Sequence, residues 1–138
     1  MELRFAHLAD FATVDASNKA TVVGIFDRIF CPPDASPIPL PPFHLIASFE
    51  ASIAEGAEHR LEIAFVNDDE ELVGPKFDGA LQFRASGIGH PAQASAIIGF
   101  PPGAIQVAAA GDYYFRFRVD EVERGRTRVT VIPVQSQG

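Results

Sequence analysis

Apolar and polar residues alternate with the period of a β-strand in several parts of the chain. The clearest case is Tyr113–Asp120, where aromatic residues and valine share one face and Arg116 and Arg118 share the other. Glu58–Val66 alternates in the same way. A period of two residues is typical of an antiparallel strand with one face buried. We therefore expect Phe115 and Phe117 to point into a core.

A second pattern is the nearly continuous apolar run Thr21–Cys31, TVVGIFDRIFC, which carries charge only at Asp27 and Arg28. A run of this kind predicts one strand that is buried on both faces or nearly so. The prolines at positions 32 and 33 must end it, because proline has no N–H group to donate. We expect the rest of the chain to pack around this strand.

Turn residues separate several further segments with strand character. Asp15–Lys19 predicts a hairpin turn after Leu3–Val14, and the proline-rich segment Pro32–Pro42 predicts a stiff crossover between sheets. A recognition site for a proline-binding domain is the alternative for that segment. Ser86–Gln93 reads as a glycine-rich loop. The remaining predicted strands are His44–Ser52, a short strand at Glu71–Val73 that Gly74-Pro75 interrupts, Ala80–Arg84, Ala94–Phe100, Ile105–Ala109 and Thr127–Val134.

Short strands divided by glycine, proline and Asp/Asn turns, without an amphipathic helix, indicate an all-β fold. We expect residues 1–138 to form a single domain, an antiparallel two-sheet β-sandwich. An immunoglobulin-like topology and a jelly roll both suit the pattern. A chain of this length buries enough surface to fold without a disulfide or a metal.

Three segments resemble a family of small bacterial β-sandwich proteins of unassigned function. They are NKATVVGIFDRI (Asn18–Ile29), GAEHRLEIAFVNDDEEL (Gly56–Leu72) and GDYYFRFRVDE (Gly111–Glu121). The chain departs from the family pattern at its acidic turn, where Glu70-Glu71 replaces an expected glycine. The resemblance implies a β-sandwich and carries no catalytic residue with it.

The charge balance narrows the range of partners. The formal net charge is −7, and such a surface repels nucleic acid and anionic lipid. We expect neither a nucleic acid nor a membrane as partner. Cys31 is the single cysteine, and no apolar segment is long enough for a spanning helix, so a cytoplasmic location is the expectation.

Catalytic motifs are absent from the sequence: it has no H-E-x-x-H, C-x-x-C, G-x-S-x-G or P-loop pattern. We therefore expect no cofactor, no bound metal and no enzymatic activity. One alternative stays open. His44 and His59 lie on different predicted strands, and they would have to meet in space, beside a carboxylate such as Glu62, to form a small-molecule or metal-dependent active site.

Two groups of charged residues are the candidate binding residues. Asp27 and Arg28 interrupt an apolar run, so they form a structural ion pair, protect a sheet edge or bind a carboxylate. Arg116, Arg118, Arg126 and Arg128 line the last predicted hairpin, near Glu121 and Glu123.

These observations favour a non-enzymatic module that binds a protein partner or has a structural role. We also expect a two-fold homodimer, because Thr127–Val134 reads as a sheet edge that a second copy would cover. Arg126 and Arg128 of one copy would then meet Glu121 or Glu123 of the other.

Overall fold

The computed structural model describes residues 1–84 and 89–134, and almost all of its regular structure is β-strand. Part of the loop predicted at Ser86–Gln93 lies outside the described residues. One short 3-10 helix, Ile53–Glu55, is the helical element of the described ranges. In these ranges no helix is long and apolar enough to cross a membrane.

Two large sheets face each other across one core. The four-stranded sheet has the order β2-β1-β5-β8, and the five-stranded sheet has the order β3-β11-β10-β6-β7. The strands of the first sheet are β1 (Glu2–Val14), β2 (Ala20–Phe26), β5 (Phe43–Ala51) and β8 (Ala92–Phe100). Those of the second are β3 (Arg28–Cys31), β6 (Glu58–Asn67), β7 (Leu72–Gln82), β10 (Gly111–Val119) and β11 (Val122–Pro133).

All neighbouring strands pair antiparallel except β3 and β11, which run parallel with Arg28 opposite Thr130. A small third sheet pairs β4 (Ile38–Pro39) with β9 (Gln106–Val107). β4 lies within the proline-rich connection, which crosses from the five-stranded sheet to the four-stranded sheet as predicted, and β9 lies between β8 and β10. The all-β prediction is confirmed, and the layers are those of a β-sandwich.

Phenylalanine rings join the two sheets in the core. Phe115 and Phe117 of β10 are fully buried, which confirms their predicted orientation. The Phe115 ring lies 6.0 Å from Phe43 and 5.8 Å from Phe100, both on the opposite sheet, and Phe117 lies 6.2 Å from Phe49. Aromatic pairs at these separations add to the stabilisation that burial alone provides.

The predicted hairpin of β1 and β2 forms, and its turn is held by side chains. The Asp15 carboxylate accepts hydrogen bonds from the backbone N–H groups of Ser17 and Lys19, both at 2.9 Å. These bonds lower the pKa of Asp15. Asn18 has a left-handed backbone (φ 65°) and reaches β8, where its amide donates to Gln93 at 3.3 Å.

The prediction of one buried strand over Thr21–Cys31 is wrong. The chain leaves the four-stranded sheet at the end of β2 and enters the five-stranded sheet at the start of β3, with Asp27 at the crossing. Both β2 and β3 are edge strands. An apolar run without alternation does not reveal which of its side chains are covered.

Two further strand predictions are wrong. Gly74-Pro75 does not interrupt a short strand, because β7 runs through it from Leu72 to Gln82 and includes part of the segment predicted as Ala80–Arg84. β7 is an edge strand, where a missing N–H group is tolerated. Thr127–Val134 is not an edge, because β11 lies between β10 and β3. The parallel pairing of β3 covers it from Thr130 onward.

Candidate functional site

The predicted arginines of the last hairpin lie on the outer face of the five-stranded sheet. On β10, Tyr113, Phe115 and Phe117 are buried, so the intervening Arg116 and Arg118 point away from the core. On β11, Val129 and Val131 are buried, so Arg128 likewise points outward. The strand register places Arg126 directly opposite Arg116 and Arg128 opposite Tyr114.

Glu70 neutralises two of these arginines. Its carboxylate accepts hydrogen bonds from Arg126 at 2.6 and 3.1 Å and from Arg116 at 3.3 Å. Arg126 also donates to Glu123 of the same chain at 2.7 Å. The bond from Arg126 is the main cause of the lowered pKa of Glu70. Arg126 is therefore paired with acids of its own chain, Glu70 and Glu123, rather than with an acid of a second copy.

Arg118 is neutralised as well. Its guanidinium lies 3.8 Å from the Glu62 carboxylate, which Lys76 approaches at 3.5 Å from the neighbouring strand. On the same strand as Glu62, Arg60 lies 3.8 Å from Asp78. These pairs are solvated and contribute little stability individually. Their consequence is electrostatic, because each of these cations has an acid beside it on this face: Arg60, Lys76, Arg116, Arg118 and Arg126.

Two arginines near the crossing from β2 to β3 differ from these, one without an ion pair and one with an exposed pair. Arg128 has no ion pair within residues 1–84 and 89–134, and its side chain is exposed. Arg28 lies at the start of β3, opposite Thr130, and its guanidinium is 3.9 Å from Asp27. The side chains of Asp27 and Arg28 are 70% and 69% exposed. The structure thus places Arg28, which has a long and exposed ion pair, and Arg128, which has none among the described residues, on adjacent strands.

The segment Ala20–Cys31, which we call the edge segment, has no further strand beside it among residues 1–84 and 89–134, and so forms a free edge of both large sheets. β2 is an edge strand of the four-stranded sheet, and β3 is an edge strand of the five-stranded sheet. The chain passes from one to the other at Asp27. Val23, Ile25 and Phe30 are 53%, 59% and 63% exposed. Phe11, which pairs with Val23 across the hairpin, is 49% exposed. Large exposed apolar residues are unusual on edge strands, because such an edge can pair with a strand of another chain.

A cleft opens at the middle of the edge segment, where the chain passes from β2 to β3. Its volume is about 570 Å³. We call it the corner cleft; residues of both sheets line it, among them His7, Ile25, Asp27, Tyr114, Thr127 and Arg128. It combines an apolar wall with hydroxyl, imidazole, carboxylate and guanidinium groups. Apolar walls with a few convergent polar groups are typical of binding sites.

The corner cleft also meets an open stretch of β11. The N–H group of Thr130 donates to the carbonyl oxygen of Asp27 at 2.9 Å, so the backbone groups of Thr130 point away from β10. Backbone groups alternate in direction along a strand, so those of Arg128, two residues earlier, point the same way. In the described part of the chain, no strand pairs with β11 on this side before Thr130.

The structure does not bring His44 and His59 together. His44 belongs to β5 of the four-stranded sheet, where its ring packs edge-on against Phe11 at 5.4 Å. His59 belongs to β6, and its neighbour Glu62 is engaged by Lys76 and Arg118. Among the described residues no group of His, Cys, Asp and Glu side chains is arranged to hold a metal ion.

His59 instead links β6 to Asp120, the residue that directly follows β10. Its Nδ1 lies 2.5 Å from the Asp120 carboxylate, and its Nε2 lies 3.1 Å from the carbonyl oxygen of Gly56. Two acceptors favour the doubly protonated ring, and the bond to Asp120 is the main cause of its raised pKa. The same contact lowers the pKa of Asp120, which also accepts the N–H group of Arg60 at 3.0 Å.

Sequence reasoning found Asp27 and Arg128 of the corner cleft and missed His7, Ile25 and Tyr114. The charges were visible as departures from an apolar or alternating pattern. Alternation places Tyr114 on the outer face with the arginines, but nothing in the sequence distinguishes Tyr114, His7 or Ile25 from ordinary strand residues. Only the sheet order shows that Ile25 lies on a free edge.

Comparison with known proteins identifies a family without assigning an activity. The model of a family of unknown function, DUF6941, matches residues 4–132. No curated protein matches the chain. Among solved structures, Pseudomonas fluorescens alkylpurine DNA glycosylase AlkC, bound to DNA with an abasic site analog, is similar at a TM-score of 0.40 and 10% identity. The match covers 92% of this chain and 30% of that protein, so the chain spans less than a third of its length.

Proposed function

For a chain that belongs to DUF6941, a family of unknown function, we propose a non-enzymatic role as a protein-binding module. The module takes up an extended segment of a partner protein along the edge segment. The observation that carries this proposal is the exposure of Val23, Ile25 and Phe30 on two consecutive edge strands. Addition of a strand to a free sheet edge is a common mode of peptide recognition.

The physical reason is that a sheet edge offers two kinds of interaction at once. Its unpaired N–H and C=O groups supply hydrogen bonds, and its alternate side chains supply apolar contacts. Folded proteins usually protect such edges with charge, proline or a covering element. Between Ala20 and Phe26 the edge segment has neither a charged residue nor a proline. The net charge of −7 further supports a protein rather than a nucleic acid as partner.

Panning of a displayed library of random linear peptides on the purified protein tests the proposal. We expect enrichment of peptides with alternating apolar residues, and we expect Ile25→Lys to abolish their binding. Leu72→Lys is the matched control, because Leu72 is similarly exposed (55%) but lies on β7 at the far edge of the five-stranded sheet. Failure to enrich any peptide, or equal loss of binding in both variants, would refute the proposal.

The same variants decide whether a second copy occupies the edge. A second copy is the alternative occupant, and it would bind the edge segment rather than Thr127–Val134, because β3 covers the last four residues of β11. Light scattering over a dilution series should give a mass near 14.9 kDa for the parent if a different protein is the partner. A doubled mass that Ile25→Lys returns to 14.9 kDa would instead identify a second copy as the occupant and overturn the proposal.

A further inference from the structure

We infer that the partner segment binds alongside β11 in the corner cleft, in line with β3, and that Arg128 binds an acidic residue of that segment. The inference rests on the proposed function and specifies the chemistry of the partner. It follows from three features of the cleft: a position beside β11 that no described strand fills, an arginine that forms no ion pair in the described residues, and an apolar wall.

The position beside β11 comes from the shortness of β3. This strand has four residues and pairs with β11 only from Thr130 to Pro133. The twelve-residue β11 begins at Val122. At Arg128 the backbone N–H and C=O groups point into the cleft, where no strand of the described residues meets them. A segment placed there would extend the edge position that β3 occupies beside β11.

The charge preference comes from the distribution of acids on the outer face. Glu70 and Glu123 bind Arg126, Glu70 also binds Arg116, and Glu62 binds Arg118. Arg128 lies one register step from this network and has no such partner in the part of the chain that the structure describes. Lys19, Arg84 and Arg124 also lack an ion pair among the described residues, but of these four basic residues Arg128 is the one that lines the corner cleft, where Asp27 lies without pairing to it. Its guanidinium is suited to binding a carboxylate through paired hydrogen bonds.

The apolar wall fixes how the segment would lie. Ile25 is 59% exposed and belongs to the same cleft as Arg128. Side chains of an extended segment alternate between two sides, so one set can pack on Ile25 while the other set reaches Arg128. The ligand class is therefore an extended peptide that combines apolar residues with a glutamate or aspartate.

Peptide binding with charge-matched probes separates this inference from the proposed function. The strongest acidic peptide from the library is compared with the same peptide carrying Gln or Asn in place of each acid, on the parent, Arg128→Gln and Arg60→Gln. We expect the parent to bind the acidic form roughly 10–100-fold more tightly than the amide form, as for a charged hydrogen bond. Arg128→Gln should remove that preference. Arg60→Gln should keep it, because Arg60 is exposed on β6 and pairs with Asp78.

Three results would overturn the inference while leaving the proposed function intact. The first is an enriched set of peptides without acidic residues. The second is equal affinity of the acidic and amide forms for the parent. The third is an acid preference that survives in Arg128→Gln. If Ile25→Lys loses all peptide binding and one of these three results is also obtained, the edge segment binds peptides without selecting for acidic residues.

Discussion

Truncation of Phe115 to alanine tests the arrangement of the core that joins the two sheets. Phe115 is fully buried, and its ring contacts Phe43, Phe65 and Phe100, with centroids 6.0, 4.8 and 5.8 Å away. Two of these rings belong to the opposite sheet. The substitution therefore removes contacts on both sides of the core, and strands on either side cannot close the space fully.

The expected cost combines two effects. Transfer of a phenylalanine side chain from the core to water costs about 1.5–3 kcal/mol. The cavity that remains raises the total to about 3–5 kcal/mol for a buried Phe→Ala change. With an unfolding entropy of about 2.1 cal/mol/K per residue, a chain of 138 residues should melt about 10–17 °C lower.

Phe30→Ala is the matched control, because it makes the same chemical change at a ring that is 63% exposed. Denaturant and thermal unfolding, followed by circular dichroism, measure both variants against the parent. Phe30→Ala should change the free energy of unfolding by less than about 0.5 kcal/mol. A Phe115→Ala melting temperature within two degrees or so of the parent would show that this ring does not join the sheets.

Three further predictions concern the charged network and the backbone. First, the raised pKa of His59 and the lowered pKa of Asp120 make their contact most stabilising between about pH 4 and 6.5. The His59 contribution is lost as the pH rises through its raised pKa, and the Asp120 contribution is lost as the pH falls through its lowered pKa. The melting temperatures of the parent and of His59→Gln should therefore converge above that window. A difference in melting temperature that does not change with pH would contradict the pairing. Second, Glu70→Gln should lower the melting temperature, and less so at high salt, because Arg116 and Arg126 share that carboxylate; an effect independent of salt would show that the charge is not the cause. Third, Gly24→Ala should destabilise the fold by more than about 1 kcal/mol, because Gly24 has φ +70° and a Cβ there would meet the Asp10 carboxylate. Gly79→Ala, where a Cβ meets open space, should be neutral or slightly stabilising in the same denaturation assay.

The sequence predicted best where alternation was regular. Tyr113–Asp120 and Glu58–Val66 became central strands of the five-stranded sheet, with the predicted residues buried. Alternation reports which face is covered, and both strands have one covered face. Thr21–Cys31 failed for the same physical reason, since an unbroken apolar run says nothing about which side chains meet solvent. Its two exposed halves became visible only through the sheet order.

The candidate site was predictable only in part. Asp27 and Arg128 stood out as charges, and all six predicted residues lie on or beside the outer face of the five-stranded sheet. The sequence could not show that Glu70, some 50 residues away along the chain, neutralises Arg116 and Arg126 (separations of 46 and 56 residues). It therefore could not distinguish arginines that hold the sheet together from Arg128, which faces the cleft. That distinction depends on register, and register follows from tertiary pairing.

The parallel pairing of β3 with β11 also governs the order in which the molecule can assemble during synthesis. Arg28 meets Thr130, so an early strand must wait for one of the last strands to leave the ribosome before its lateral bonds form. Meanwhile the β1–β2 and β6–β7 hairpins, whose strands are neighbours in the chain, can already form. Such long-range closure is entropically slow. The apolar residues of β3 therefore stay without their neighbouring strand for most of translation, whereas the finished fold buries Ile29 and Cys31 and leaves Phe30 exposed.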